Sequence, residues 1–113
     1  MKLKEFIDLK QKEIHKNKPI RVSYDDYIGF VKCFHWFYGN RIIFEIEHED
    51  EKEYQCTLND LILFIKQHNI PQDTVIVFDM YDGRLINNEP ERYKINHFNI
   101  KLTCNEEFID VKI

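Results

Sequence analysis

The sequence predicts one α+β domain over residues 1–113, in which a mostly antiparallel sheet carries helices packed on one face. Three observations predict this class. A Gly-Asn dipeptide inside a long apolar run is typical of a β-hairpin, a threonine before an apolar block is typical of a capped helix, and two short alternating runs end the chain. The expected order is an N-terminal helix, a three-stranded meander, a second helix, a strand and a C-terminal hairpin.

The N-terminal segment is predicted to form a short amphipathic helix. Leu3, Phe6, Ile7 and Ile14 recur at near-helical spacing with lysines between them. The helix is expected to end before the sequence NKP. Its polar face accounts for a local positive charge, because residues 1–22 hold seven lysines and arginines against three acidic residues.

The next segment is predicted to form the meander. The sequence PIRVSY alternates apolar with polar residues, and residues 27–49 predict two long strands joined by a tight turn at Gly39 and Asn40. The sequence HEDEK is expected to turn the chain, and EYQC is expected to add a short third strand.

Side chains on the two long strands should alternate between the faces of the sheet. On the second strand, the apolar face is expected to hold Ile42, Phe44 and Ile46, and the solvent face Ile43, Glu45 and Glu47. On the first strand, one face is expected to hold Phe30, Phe34, Trp36 and Tyr38, and the other Val31, Cys33, His35 and Phe37. Since both faces of that strand are apolar, either both are covered or some aromatic side chains form an interface.

The second half of the chain is predicted to begin with a helix. Thr57 can cap its free N–H groups, and Asp60 suits the positive end of the helix. The apolar body LILFIKQH should be largely buried, and Asn69 and Pro71 should end it. The sequence TVIVFDMYDG is expected to be a buried strand that enters a turn at Asp82–Gly83. RLINNEPERYKIN is expected to be an irregular loop, and HFNIKLT with FIDVKI a closing hairpin.

Charge and composition exclude several functional classes. Residues 23–113 hold nine basic and seventeen acidic residues, so direct binding of nucleic acid is not expected. No stretch reaches membrane-spanning length, and Cys33, Cys56 and Cys104 stand alone at wide spacing, which favours a reducing compartment. The chain is therefore expected to be cytoplasmic, without membrane contact. The lack of alanine is typical of an AT-rich genome, such as that of a low-GC bacterium or a phage.

No catalytic, cofactor-binding or metal-binding motif is predicted. The only serine lies outside a strand-to-helix elbow, and the three glycines lie too far apart for a phosphate-binding loop. No two histidines have the helical spacing of metal ligands, so His35, His48 and His97 are expected to be structural or surface residues. Asp79 and Asp82 could act as acid and base, but the sequence DMYDG is more typical of a strand entering a turn.

The strongest functional signal is the acidic stretch that begins at Glu45. The residues expected to bind a partner are aromatic or acidic: Trp36, Tyr38, Glu45, Glu47, Glu49, Asp50 and Glu51. Carboxylates beside exposed rings would steer and then hold a basic protein. The sequence therefore predicts a small acidic protein-binding module, an inhibitor or immunity and anti-defence type of protein that occludes a basic, nucleic-acid-handling target.

Other interpretations remain open. The same carboxylates also fit a solubilising, edge-protecting surface. A small enzyme would need Asp79, Asp82, His35 or His97 to converge in a pocket. A homo-oligomeric accessory protein of a phage or mobile element would instead use the aromatic strand as its subunit contact, for example in a homodimer.

Overall fold

The computed structural model describes residues 2–8, 17–24, 27–36, 40–49, 55–86, 89–95 and 100–113, with the backbone alone for 80–86 and 89–95. The described residues form two helices, α1 (Leu3–Asp8) and α2 (Leu58–His68), and seven strands. The strands are β1 (Ile20–Tyr24), β2 (Tyr27–Trp36), β3 (Arg41–His48), β4 (Val75–Ile86), β5 (Glu89–Ile95), β6 (Lys101–Cys104) and β7 (Ile109–Lys112). All seven belong to one sheet in the order β5-β4-β3-β2-β1-β7-β6.

The sheet is mixed, so the expectation of a mostly antiparallel sheet is wrong. β3 pairs with β4 in parallel and β1 pairs with β7 in parallel, whereas the remaining neighbours are antiparallel. β4 runs parallel to β3 because α2 returns the chain across the sheet before β4 begins, which a tight turn would not do. The C-terminal hairpin β6–β7 adds beside β1, and β7 runs in the same direction as β1.

Several local expectations are also corrected. β4 continues through the Asp82–Gly83 dipeptide, so the predicted turn is absent, and β5 occupies much of the predicted loop. Pairing of β4 with β5, with a register shift between Tyr81 and Leu85, satisfies backbone groups that a loop would leave to solvent. Gln55 and Cys56, from the predicted third strand of the meander, are not in a strand, and the meander consists of β1, β2 and β3.

The ends of α2 lie where the sequence predicts them. Thr57 Oγ1 accepts a hydrogen bond from the Asp60 N–H at 3.2 Å, and Asp60 Oδ2 accepts one from the Thr57 N–H at 2.8 Å, which is a capping box. Asn69 adopts a left-handed φ of 51°, and its N–H donates to the carbonyls of Ile65 and Lys66. Neither of the two described helices is long and apolar enough to cross a membrane.

Both helices pack on one face of the sheet, here called the helix face. The ring centroid of Phe6 in α1 lies 5.6 Å from that of Phe44, and the centroid of Phe64 in α2 lies 5.6 Å from that of Phe34. Phe34 and Phe44 are register partners in β2 and β3, so they share this face. The core on this face includes nearly inaccessible side chains: Leu3, Ile20, Val22, Val31, Ile42, Ile46, Leu58, Leu61, Ile76, Phe78, Ile109 and Val111. The predicted burial of Ile42, Phe44 and Ile46 is confirmed.

A β-bulge interrupts the alternation of side chains in β2. Val31 pairs with Ile46, and Cys33 pairs with Glu45, which leaves Lys32 as the extra residue. In a regular strand Val31 and Cys33 would point to the same face. The bulge instead directs Val31 to the helix face and Cys33 to the opposite face.

The faces predicted for β2 are therefore wrong before the bulge. Val31, not Phe30, shares the helix face with Phe34 and Trp36. Phe30 lies on the opposite face, where its ring centroid is 5.4 Å from that of Phe108. The composition of β2 gives no signal for a bulge. The sequence alone therefore predicts strict alternation of side chains along this strand.

Candidate functional site

The carboxylates expected on a solvent face of β3 are partly buried. The face opposite the helix face carries Glu45 and Glu47, and it is called the Glu45 face. Asp79 of β4 lies beside Glu45 because the two residues are register partners. Glu47 is half-buried, 17% of the Glu45 side chain is exposed, and Asp79 is only 6% exposed. These three acidic residues are brought together, but not on a fully hydrated surface.

The aromatic residue predicted to accompany them lies on the other side of the sheet. Trp36 is half-buried on the helix face, with its ring centroid 6.3 Å from that of His68 in α2. The sheet therefore separates Trp36 from Glu45 and Glu47. Glu49 follows β3 and is half-buried. The remaining predicted partner-binding residues lie outside the described part of the chain: Tyr38, Asp50 and Glu51.

Three side chains of different chemistry meet on the Glu45 face. His35 Nε2 lies 2.7 Å from Glu45 Oε2, and Cys33 Sγ lies 3.4 Å from each of these two atoms. All three residues are partly buried, and 43% of the His35 side chain is exposed. Cys33, His35 and Glu45 are called the donor cluster, because they bring a sulfur, a nitrogen and an oxygen within 4.8 Å of one another.

Strand geometry explains how the donor cluster forms. Cys33 and His35 lie two residues apart in β2 after the bulge, so they share a face at a spacing of about 6.6 Å along the strand. Glu45 is the register partner of Cys33, and its side chain reaches diagonally to His35. The bulge at Lys32 is required, because regular alternation from Val31 would direct Cys33 towards the core.

The donor cluster differs from a catalytic triad in its geometry. A triad histidine uses one ring nitrogen for the nucleophile and the other for the carboxylate that orients it. In this cluster the same atom, His35 Nε2, faces both Cys33 Sγ and Glu45 Oε2. The three polar atoms converge on a shared point, which is how ligands surround an ion.

Cys56 and Cys33 line the same groove, which has a volume of about 530 Å³ and runs beside α2. The backbone of Cys56 lies between β1 and β2, because its N–H donates to the Val31 carbonyl and its carbonyl accepts from the Ile20 N–H. Burial, with smaller contributions from the negative charges of Asp60 and Cys33, raises the pKa of the Cys56 thiol to about 11. Cys56 is therefore a protonated, weakly nucleophilic thiol at neutral pH.

The donor cluster was not predicted from the sequence. His35 was expected to be a structural or surface residue, and Glu45 was expected to face a partner. The signal that could have found the cluster is a Cys-x-His pair on one arm of a hairpin opposite a glutamate on the other arm. Using it requires the register of the hairpin and the position of the bulge, and the sequence specifies neither.

The residues considered for an acid–base site are His35, Asp79, Asp82 and His97. His35 and Asp79 share the Glu45 face, and Asp82 lies within β4. His97 lies outside the described residues. The carboxylate that His35 contacts is that of Glu45.

Comparison of the chain with protein-family models, with curated proteins and with solved structures finds no match in any of the three. A function for this chain therefore has to follow from its own residues.

Proposed function

We propose that this chain is a small, non-catalytic binding protein that uses its Glu45 face to hold a basic protein surface. The observation that supports the proposal is the juxtaposition of Glu45, Glu47 and Asp79 on adjacent positions of β3 and β4. Both described helices pack on the other side of the sheet. Occlusion of a nucleic-acid-handling protein is the form of binding that this charge favours, because such proteins present lysine and arginine to phosphate groups.

The overall charge supports the same proposal. The chain has twenty acidic residues against sixteen lysines and arginines. Even complete internal pairing would leave at least four carboxylates in excess, so the molecule attracts cationic partners. Such a field accelerates encounter with a basic protein and loses strength as salt concentration rises.

The lysines of α1 lie away from the Glu45 face, whereas Arg21 of β1 lies on it, because its register partner Phe30 is also the partner of Glu47. α1 contacts the helix face through Phe6, so Lys2 and Lys4 lie beside that side of the sheet. An apolar side chain, Ile43, adjoins Glu45 on the Glu45 face and is partly exposed. A partner that covers this face would therefore meet carboxylates next to an aliphatic contact, a combination that supports both steering and desolvation.

Charge reversal tests the proposal without disturbing the donor cluster. The variant Glu47→Lys/Glu49→Lys changes two partly exposed carboxylates and leaves Glu45 bonded to His35. The matched control, Glu106→Lys/Glu107→Lys, makes the same change in net charge at exposed positions in the β6–β7 turn. Proteins retained by the immobilised chain from a lysate of an AT-rich bacterium would be identified and then measured individually by surface plasmon resonance.

The expected partner is a basic protein whose association rate falls at least about tenfold with Glu47→Lys/Glu49→Lys, and by less with the control. Raising the salt concentration should slow association of the wild-type chain more than that of the reversed variant. A partner with an acidic surface, or a basic partner that binds both variants equally, would contradict the proposal.

A further inference from the structure

We infer that the donor cluster of Cys33, His35 and Glu45 is a binding site for one divalent transition-metal ion, with Zn²⁺ as the best match. Each residue contributes one ligand atom, namely Sγ, Nε2 and Oε2. The inference is independent of the proposed protein binding, because it depends on the distances among these three atoms and on their chemistry.

The distances fit a tetrahedral ion. Zinc bonds of about 2.3 Å to sulfur and 2.0–2.2 Å to nitrogen or oxygen place ligand atoms about 3.4–3.6 Å apart in a tetrahedron. The two separations that involve Cys33 Sγ are both 3.4 Å. The third, between His35 Nε2 and Glu45 Oε2, is 2.7 Å, the length of a hydrogen bond. Entry of the ion would release to solvent the proton shared by His35 and Glu45 and the thiol proton of Cys33. It would also widen the His35–Glu45 separation by about 0.7 Å, a movement within reach of two partly exposed side chains.

The donor atoms select the class of metal. A thiolate and an imidazole favour Zn²⁺ and its neighbours in the first transition row, whereas Mg²⁺ and Ca²⁺ prefer sites made of oxygen ligands. Glu47 and Asp79 add negative charge to the same face, which further favours a cation. Three protein ligands also leave a fourth position for water or for a group from a partner, as in zinc sites that are not purely structural.

The site is accessible from solvent. The His35 side chain is 43% exposed. An ion can therefore approach from the Glu45 face without unfolding of the sheet. The strands β2 and β3 hold the three residues in register, and the ligands therefore come from rigid elements.

The test is metal binding by the full chain after removal of metal with a chelator. Zn²⁺ would be titrated in competition with a chromophoric chelator, and Co²⁺ would be added to separate samples as a spectroscopic probe. The expected result is one Zn²⁺ per chain, with Mg²⁺ unable to displace it. Bound Co²⁺ should give the intense visible bands of a tetrahedral ion and a thiolate-to-cobalt charge-transfer band in the ultraviolet.

Each ligand has a matched control elsewhere in the chain. Cys33→Ser, His35→Asn and Glu45→Gln should each weaken zinc binding at least about tenfold, since even residues that only orient a metal ligand contribute that much. The corresponding controls are Cys104→Ser in β6, His68→Asn in α2 and Glu107→Gln in the β6–β7 turn, and they should leave the affinity within about twofold of wild type. Circular dichroism of the metal-free variants would show that each is folded.

X-ray absorption of the wild-type zinc complex gives a second readout that needs no variant. One sulfur at about 2.3 Å with nitrogen or oxygen atoms completing the shell is the expected result. A shell without sulfur would overturn the inference. So would zinc binding that is unchanged when all three ligands are replaced together, because the ion would then be held elsewhere.

Discussion

Gly29 of β2 packs tightly against β3. A Cβ atom at this position would lie 2.6 Å from Ile46 Cγ2 and would also overlap the backbone carbonyl oxygen of Glu47. Neither neighbour can retreat easily, because Ile46 is fully buried in the core and Glu47 belongs to the paired strand. The glycine is therefore required by the packing of the hairpin that holds the donor cluster.

Replacement of Gly29 by alanine should lower the free energy of unfolding by about 1–3 kcal/mol, the usual effect of forcing an extra methyl group into a packed core. Urea denaturation, followed by circular dichroism, measures the change. An unfolding midpoint equal to that of the wild-type chain would show that β2 and β3 can move apart at this point without loss of stability.

Cys56 offers a second test at the scale of one residue. Its pKa is raised from the ordinary value of 9.0 to about 11, chiefly by burial. The folded chain therefore holds this proton more tightly than the unfolded chain does. The resulting contribution to stability is fully present below pH 9 and is lost as the pH rises towards 11.

Alkylation should report this protonation directly. At pH 8 iodoacetamide should modify Cys56 about 100-fold more slowly in the folded chain than in urea, because the thiolate is the reactive form. Peptide mass spectrometry separates the modification of Cys56 from that of Cys33 and Cys104. Equal rates in folded and unfolded chains would contradict the assigned environment of Cys56.

For the helices and strands, the sequence predicts the features that local rules determine. The alternation of β3 and the two ends of α2 follow from strand geometry and from the capping preferences of Thr57, Asp60 and Asn69, and the structure confirms them. The Asp82–Gly83 dipeptide favours a turn locally, but pairing of β4 with β5 overrides that preference. The parallel pairing of β3 with β4 is a property of the tertiary fold, and no local pattern specifies it.

The donor cluster likewise depends on how the strands pair, which the sequence does not specify. All three residues can be identified in the sequence, but they converge only because the bulge accommodates Lys32 as an unpaired residue, so that Cys33 still pairs with Glu45. Strict alternation predicts Cys33 and Val31 on one face of the sheet, which the bulge contradicts. Candidate ligands could thus be named from the sequence, whereas the site could not.

Deletion of Lys32 tests this register while retaining all three ligands. Without the extra residue β2 can be regular, because Val31 keeps its partner Ile46 while Cys33 keeps its partner Glu45 on the opposite face. We expect the deletion variant to bind zinc within about tenfold of wild type. Titration with Zn²⁺ measures this effect, and Lys32→Ala is the control that removes the exposed side chain but keeps the bulge. Loss of zinc binding by the deletion variant, with wild-type affinity in Lys32→Ala, would contradict the assigned register.

At the scale of the whole molecule, one sheet connects the two proposals. The helix face is closed by α1 and α2, whereas the Glu45 face carries both the acidic residues and the donor cluster. Since β3 is a central strand, an ion held between β2 and β3 would be coupled to the stability of the entire sheet.

Zinc should therefore stabilise the folded chain. At a free concentration 100 times the dissociation constant, a ligand that binds only the folded state contributes about 2.7 kcal/mol. Thermal unfolding in the presence and absence of Zn²⁺ measures this gain, with Cys33→Ser as the variant that should show little of it. A chain whose melting temperature is insensitive to Zn²⁺ at saturation would contradict the coupling.

The Glu45 face is the proposed binding surface of this protein. Nuclear magnetic resonance titration of the ¹⁵N-labelled chain with a short arginine-rich peptide tests it most directly. Salt-sensitive shifts should concentrate on the amides of β3 from Glu45 onwards and on Asp79 of β4, with α2 unaffected. Shifts that concentrate around the exposed Leu63 of α2 would contradict the proposal. An absence of shifts in β3 at saturating peptide would contradict it as well.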